Sequence, residues 1–207
     1  MKGLNFTSKD FDAIKLAIKE GGKIWESKHV SDVKRKIKDH YRAIQGEQCC
    51  YCRKNFKGEF NMVLDIEHVL PQGNSKFKKF MFTITNLSVA CKRCNMLVKK
   101  DDISFISDTA DFSKDPFLSD NYKLIHPNVD NYFHHLHYDA SIRNLETMIK
   151  YTISGDSNKG HFTYNYFRLN ELEVDSFNKS QGALGHVDIS SAIDPDIALE
   201  IENLLEQ

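Results

Sequence analysis

The chain has 207 residues, of which 41% are hydrophobic and 28% are charged. This length and composition suit one domain of ordinary size, or a small catalytic module with helical additions. No stretch approaches 18 consecutive apolar residues and the N-terminus has no apolar core, so we expect a cytoplasmic protein that neither spans a membrane nor is secreted.

The net charge of −1 conceals an asymmetry between two halves of the chain. Residues 1–100 carry 21 Lys and Arg against 10 Asp and Glu, whereas residues 101–207 carry 7 against 19. A basic half suits a polyanion such as nucleic acid. The acidic half would repel one, so we expect it to face solvent or a partner protein. The alternative is two oppositely charged, solvated surfaces that attract each other.

Apolar spacing predicts helices on both sides of a central block. Residues 8–20 form the first, with Ser8 as its N-cap, and residues 31–45 form a strongly basic second helix capped by Ser31 or Asp32. After residue 100 the pattern weakens to short elements: extended pieces near 134–138 and 147–153, a helix over 159–168 capped at Ser157–Asn158, a short helix from Glu171, a linker over 179–191, and a C-terminal helix from Asp194–Pro195.

All five cysteines lie in two tight clusters, which favours metal ligation over a disulfide framework. Cys49 and Cys52 form one C-x2-C pair, and 38 residues separate it from the second pair, Cys91 and Cys94. Two such turns supply four thiolates for one tetrahedral zinc ion. A redox C-x2-C would explain one pair but not the other. Cys50 remains as a buried or free thiol, and the sequence predicts a structural zinc site.

A second group of chemically active residues lies between the cysteine pairs. Residues 63–68 alternate and predict a strand that ends with Glu67 and His68. Asn86 opens a second strand that runs into the later cysteines, and a helix over 92–100 carries Asn95 in its first turn. Alone, a Glu-His pair or such an Asn is ordinarily structural.

These motifs resemble the HNH endonuclease family, and more specifically its zinc-ribbon branch, which includes McrA-like restriction nucleases. The resemblance covers about residues 46–100. The chain departs from the family pattern at Glu67, where Asp is commoner, and at Asn95, where His is common. The resemblance implies an α+β fold: a ββα-metal hairpin–helix core with the four-cysteine zinc site, embedded in mainly helical additions.

The resemblance also implies a role for each motif residue. His68 would take a proton from the attacking water, as suits a neutral imidazole near pH 7. Glu67 and Asn95 would hold one Mg²⁺ or Mn²⁺, a hard cation that prefers oxygen ligands and stabilises charge on phosphoryl oxygens. Asn86 would orient the hairpin and the histidine.

The predicted function is therefore an endonuclease that cuts DNA, with RNA less favoured, and leaves 5′-phosphate and 3′-hydroxyl ends. We divide the chain into basic helices (1–46), the nuclease core (47–103) and an acidic, mixed region that binds a partner (104–207). The flanking segments loosely resemble small HNH proteins that pair with an ATPase in Septu-type (PtuB-like) and retron-linked anti-phage systems, which implies an ATPase partner. The alternative is a zinc-stabilised binding module with a silent HNH site.

Cations near the motif are the predicted nucleic-acid contacts, with a solubilising basic loop as the alternative. They are Lys76, Lys78, Lys79, Lys92, Arg93, Lys99 and Lys100. Phe77 and Phe80 alternate with the loop lysines and could stack on a base. Four further histidines suggest a second metal site, but they lack a partner at ligand spacing, so we expect packing and hydrogen bonding; these are His126, His134, His135 and His137.

Overall fold

The computed structural model describes residues 3–113, 115–144 and 146–174. These residues fall into two compact units, one of residues 3–138 with Tyr151–Leu172 and the other of Asp139–Lys150 with residues 173–174. Within the described ranges, no helix is long and apolar enough to cross a bilayer. The predicted linker over 179–191 and the helix from Asp194 lie outside the described residues.

Two helices precede the central block, as predicted. Helix α1 spans Ser8–Glu20, and its N-cap is Thr7 rather than Ser8. The Thr7 and Asp10 side chains accept each other's backbone N–H, which forms a capping box. Helix α2 spans Ser31–Ile44 and follows a 3₁₀ turn, so its N-cap position is Val30 and neither predicted polar cap is used.

The central block contains an antiparallel hairpin of β1 (Leu64–His68) and β2 (Leu87–Cys91). Its register places Leu64 opposite Cys91 and His68 opposite Leu87, and every residue of β2 is buried. Helix α2 packs on both strands. Its buried positions Val33, Ile37 and Tyr41 recur at the spacing of one helical face, which explains how a strongly basic helix joins the core.

The helix predicted over 92–100 is a π-helical segment, Arg93–Lys99. Its wider turns are visible in the hydrogen bond from the Lys100 N–H to the Asn95 carbonyl oxygen, five residues earlier, at 2.8 Å. Such turns are rare and occur frequently at functional sites. This geometry determines which of its side chains face β1.

The remaining elements are a second two-stranded sheet and short helices. Strands β3 (Leu136–Arg143) and β4 (Glu146–Ile153) pair with each other. Helix α3 spans Asn158–Tyr166, and its N-cap is Ser157, whose hydroxyl accepts the Gly160 N–H at 3.0 Å. A 3₁₀ turn covers Leu169–Leu172. The predicted α+β class is confirmed.

Candidate active site

The four predicted zinc ligands come together in the structure. The Sγ atoms of Cys49, Cys52, Cys91 and Cys94 are buried and lie within 4.8 Å of one another. The Cys52 and Cys91 sulfurs are 3.7 Å apart. Four sulfurs at about 2.3 Å from one zinc ion would be about 3.8 Å apart, so the cluster fits a tetrahedral zinc site. Backbone N–H groups of Cys91 and Cys94 also point at ligand sulfurs, at 3.3 and 3.4 Å.

The fifth cysteine is outside this cluster. Burial, and then the neighbouring Cys49, raise the pKa of Cys50 well above its ordinary value, which keeps it a neutral thiol. Two tyrosine hydroxyls bind the backbone of the first cysteine pair, Cys49–Cys52. Tyr132 donates to the Tyr51 carbonyl at 2.9 Å, and Tyr151 donates to the Cys52 carbonyl at 2.5 Å. These tyrosines show that the region after residue 104 takes part in fixing the zinc knuckle.

His68 ends β1 and is held in one orientation. Its Nε2 lies 3.0 Å from the Met81 carbonyl oxygen, and the Trp25 ring packs against the imidazole at 4.4 Å and 78°. A carbonyl oxygen can only accept, so Nε2 carries the proton and Nδ1 of the neutral ring keeps its lone pair. Burial lowers the pKa of His68 from 6.5 to about 4. The ring is therefore a neutral base at physiological pH.

Asn86 fixes the loop between the two strands. Its Oδ1 accepts the Leu70 N–H at 2.7 Å, and its Nδ2 donates to the carbonyl oxygens of Leu70 and Phe80, each at 3.1 Å. Leu70 follows His68 by two residues, and Phe80 directly precedes Met81. One buried amide therefore fixes the backbone near His68 and next to Met81, whose carbonyl oxygen orients the imidazole.

Glu67 and Lys99 form a closed pair between β1 and the π-helical segment, which we call the inner pair. The Lys99 ammonium is 2.8 Å from Glu67 Oε1, and both side chains are 1% exposed. Lys99 also donates to the His68 carbonyl oxygen at 2.9 Å, and the Tyr51 hydroxyl donates to Glu67 Oε1 at 3.0 Å. Burial raises the pKa of Glu67, and Lys99 opposes that shift. Among the described residues, no donor reaches Oε2 of Glu67.

Asp65 and Asn95 form a second contact between the same two elements, the outer pair. The Asn95 amide donates to Asp65 Oδ2 at 3.3 Å, and the Lys92 ammonium is 3.2 Å from Oδ1. Both members line an open cavity of about 690 Å³. The structure thus brings Asn95 to Asp65, whereas Glu67 pairs with Lys99. Sequence reasoning did not single out Asp65, although its position two residues before Glu67 places it on the same strand face.

The predicted nucleic-acid contacts fall into two groups. The exposed ones are Lys76, Lys78, Lys79, Lys92 and Lys100. Arg93 instead donates to the carbonyls of Phe167 and Arg168 and pairs with Glu171. Lys99 is buried in the inner pair, so it cannot contact a phosphate in this conformation.

The loop aromatics face inward rather than toward a base. Phe77 is buried and packs edge-on against Phe112 at 5.5 Å, and Phe80 packs against Phe117 at 5.4 Å. Packing therefore explains the aromatic spacing in the loop.

Of the remaining histidines, His126 is buried and its Nδ1 accepts the Asn128 N–H at 3.2 Å, while His135 Nδ1 lies 2.7 Å from the Ser157 hydroxyl.

Comparison with known proteins gives one informative similarity. No family model and no solved structure matches this chain. A protein of Vibrio cholerae serotype O1 biovar El Tor, named "Retron Vc95 putative HNH endonuclease", is 28% identical over 134 residues. The match covers 61% of this chain and 57% of that relative, so the chain spans little more than half of its length. The similarity supports a relationship to HNH endonucleases and, with it, a nuclease role.

Proposed function

We propose that this chain is an HNH endonuclease that hydrolyses phosphodiester bonds of DNA, with RNA a less favoured substrate. The observation that carries the proposal is the state of His68: a buried, neutral imidazole whose Nε2 is bound to the Met81 carbonyl, so that Nδ1 is the basic atom. A general base needs both a free lone pair and a fixed direction. The orphan acceptor of Glu67 and the open Asp65–Asn95 contact lie on the elements that flank it.

The reaction would use His68 to remove the proton from a water that attacks the phosphorus atom. The P–O bond to the 3′ oxygen then breaks, this oxygen takes up a proton from a solvent water, and the products are a 5′-phosphate and a 3′-hydroxyl. Asn86 would contribute indirectly, because its amide holds the backbone on both sides of the base. A mispositioned base loses much of its contribution, so we expect this amide to matter for rate more than for substrate affinity.

Carboxylate and amide oxygens are the ligands that Mg²⁺ and Mn²⁺ prefer. Asn95 supplies an amide oxygen, and Asp65 or Glu67 supplies a carboxylate. Asp65 lies in the open cavity. Oε2 of Glu67 has no donor among the described residues. When bound there, a divalent cation would stabilise charge on the phosphoryl oxygens. The hairpin and the π-helical segment would then form a ββα-metal core, with the zinc site as its structural support.

We further propose that the protein is the nuclease component of an anti-phage system. The relative's name places that relative with a retron. For this chain, the acidic residues after position 100 would bind a partner protein, for which an ATPase is our candidate. Co-purification of the tagged chain with the product of a neighbouring ATPase gene tests this part. A chain that cleaves at full rate alone and retains no ATPase would contradict it.

The activity itself is tested on supercoiled plasmid with Mn²⁺. Wild type should nick the plasmid, and His68→Ala should lower the rate by about 100-fold or more, because general-base catalysis contributes about that much. His161→Ala, at an exposed histidine in α3, is the matched control. Equal nicking by wild type and His68→Ala would refute the mechanism. If wild type is inactive with and without the partner, the zinc-stabilised binding module becomes the better description.

A further inference from the structure

An open cavity of about 690 Å³ borders the outer pair, and helix α2 forms its opposite wall. Its lining includes Trp25 from the turn before α2 and Lys34, Arg35 and Lys38 from α2 itself. Lys92, directly before the π-helical segment, lines the same space. A cavity next to a proposed scissile position, lined by cations and one aromatic ring, has the composition of a nucleic-acid site.

The α2 side chains are held at the cavity by backbone contacts. The Lys34 ammonium donates to the Trp25 carbonyl oxygen at 3.0 Å, and the Lys38 ammonium donates to the Leu64 carbonyl oxygen at 2.8 Å. Carbonyl oxygens are neutral, and these bonds orient the ammonium groups at the cavity. The Lys38 ammonium also interacts electrostatically with the Asp65 carboxylate. Arg35 is 70% exposed and pairs only across one helical turn, with Asp32 at 2.9 Å. Such an exposed pair is weak and can exchange for a phosphate.

The acidic side chains of the cavity do not outweigh these cations. Its lining has four cationic side chains and three carboxylates: Lys34, Arg35, Lys38 and Lys92 against Glu26, Asp39 and Asp65. Asp65 is one of the candidate ligands for the divalent cation, and that cation would more than neutralise it. The loaded site would therefore present net positive charge to an incoming strand.

Trp25 connects this cavity to His68, the proposed general base. Its ring contacts the His68 imidazole at 4.4 Å and Phe82 at 5.4 Å, and it lines both the 690 Å³ cavity and an adjacent one of about 340 Å³. The smaller cavity also includes Met81, whose carbonyl holds His68. The indole is half-buried, so part of it remains available in the larger cavity. An aromatic platform between cations favours stacking of an unpaired base.

We propose that this cavity is the track of the cleaved strand and that the strand is unpaired where it crosses the site. Phosphates would lie along Lys34, Arg35 and Lys38, and the Trp25 ring would stack on a base beside the scissile phosphate. The inference rests on the proposed nuclease function. It adds α2 and Trp25 to the substrate contacts predicted around the 76–80 loop and the π-helical segment.

Binding without cleavage tests the track directly. Zinc-loaded protein is titrated with a fluorescein-labelled 12-nucleotide DNA strand, and separately with its blunt duplex, with no added Mg²⁺ or Mn²⁺. Trp25 is the only tryptophan of the chain, so its emission reports on the cavity. We expect the single strand to bind more tightly than the duplex and to quench Trp25. Arg35→Gln should weaken single-strand binding about 3- to 10-fold and reduce the salt dependence by about one phosphate contact.

Lys15→Gln in α1 is the matched control, because Lys15 also makes an exposed pair with an Asp three residues earlier. It lies outside the cavity lining and should not change binding. The inference fails if Arg35→Gln binds like Lys15→Gln, if the duplex quenches Trp25 as strongly as the strand, or if saturating strand leaves the emission unchanged. In each case plasmid nicking that depends on His68 would leave the proposed function standing. Absence of both binding and nicking, with and without the partner protein, would remove both.

Discussion

The inner and outer pairs connect the same two elements but lie in opposite surroundings. Glu67 and Lys99 are each 1% exposed and 2.8 Å apart, close to the zinc knuckle. Asp65 and Asn95 are 3.3 Å apart beside an open cavity, and the Asp65 side chain is 25% exposed. A shift of two residues along the strand and four along the helical segment thus separates a buried ion pair from an accessible pair joined by a hydrogen bond. We infer that the inner pair serves mainly the fold and that the outer pair is available to a ligand.

Loss of zinc should have the largest effect, because Cys91 ends β2, the partner strand of β1, and Cys94 lies in the π-helical segment. Cys91→Ser should abolish zinc binding and unfold the hairpin, since a structural zinc ion contributes on the order of 10 kcal/mol to folding. Metal analysis and circular dichroism measure the two effects. Cys50→Ser, at the buried cysteine outside the cluster, should retain about one zinc per chain. A folded Cys91→Ser protein that still binds zinc would show that the thiolate cluster is not the anchor.

The four-cysteine cluster was predictable because its signal is local. Two C-x2-C spacings identify four ligands without knowledge of the fold, and the apolar spacing of α2 similarly identifies Val33, Ile37 and Tyr41 as its buried face. Helix ends were less accurate: Thr7 rather than Ser8 caps α1, although Thr7 and Asp10 three residues later have the local spacing of a capping box. Local patterns thus predicted the elements and left their ends uncertain.

The division between inner and outer pairs was not predictable from the motif. The sequence places Asp65 and Glu67 on one strand face but does not say which helical side chain each meets. That depends on the π-helical turn, whose wider spacing brings Lys99 to Glu67 and leaves Asn95 with Asp65. The contact between Trp25 and His68 is likewise non-local, joining segments 43 residues apart. No spacing rule relates such residues before the chain is folded.

Breaking the inner pair should cost the next largest amount of stability. Lys99→Met leaves the Glu67 carboxylate buried without its counter-charge, which typically costs about 3–5 kcal/mol. Chemical unfolding of the zinc-loaded protein measures the loss. Lys100→Met, at the exposed neighbour, is the control and should change stability by less than about 0.5 kcal/mol. The double variant Lys99→Met with Glu67→Gln should recover part of the loss; if it does not, the ion pair is not the reason for the burial of Lys99.

Acid should lower the free energy of unfolding, because His68 is buried as a neutral imidazole. Its pKa is about 4 in the folded chain against an ordinary 6.5, so the unfolded chain takes up the proton first as the pH falls. Its contribution to stability is complete above pH 6.5 and is lost between pH 6.5 and 4, up to about 3 kcal/mol. His126, with its pKa lowered by burial to about 3, acts in the same direction. Unfolding free energies measured across this range should have a smaller slope in His68→Asn and an unchanged slope in His161→Asn.

Opening the outer pair should change stability least, although it should still weaken metal binding and nicking. Asp65→Asn keeps the shape of the side chain and removes a partly exposed charge whose ion pair with Lys92 is solvent-screened, so we expect less than about 1 kcal/mol of destabilisation. If Asp65 and Asn95 together bind the cation, Mn²⁺ affinity should fall by about 10-fold or more, and nicking should fall with it. Quenching of Trp25 emission by Mn²⁺ follows the binding, since that ring lines the same cavity. Glu67→Gln is the informative partner: if it alone abolishes Mn²⁺ binding while Asp65→Asn leaves it intact, the free Glu67 oxygen is the ligand, and Lys99 must then move aside or share that carboxylate with the metal.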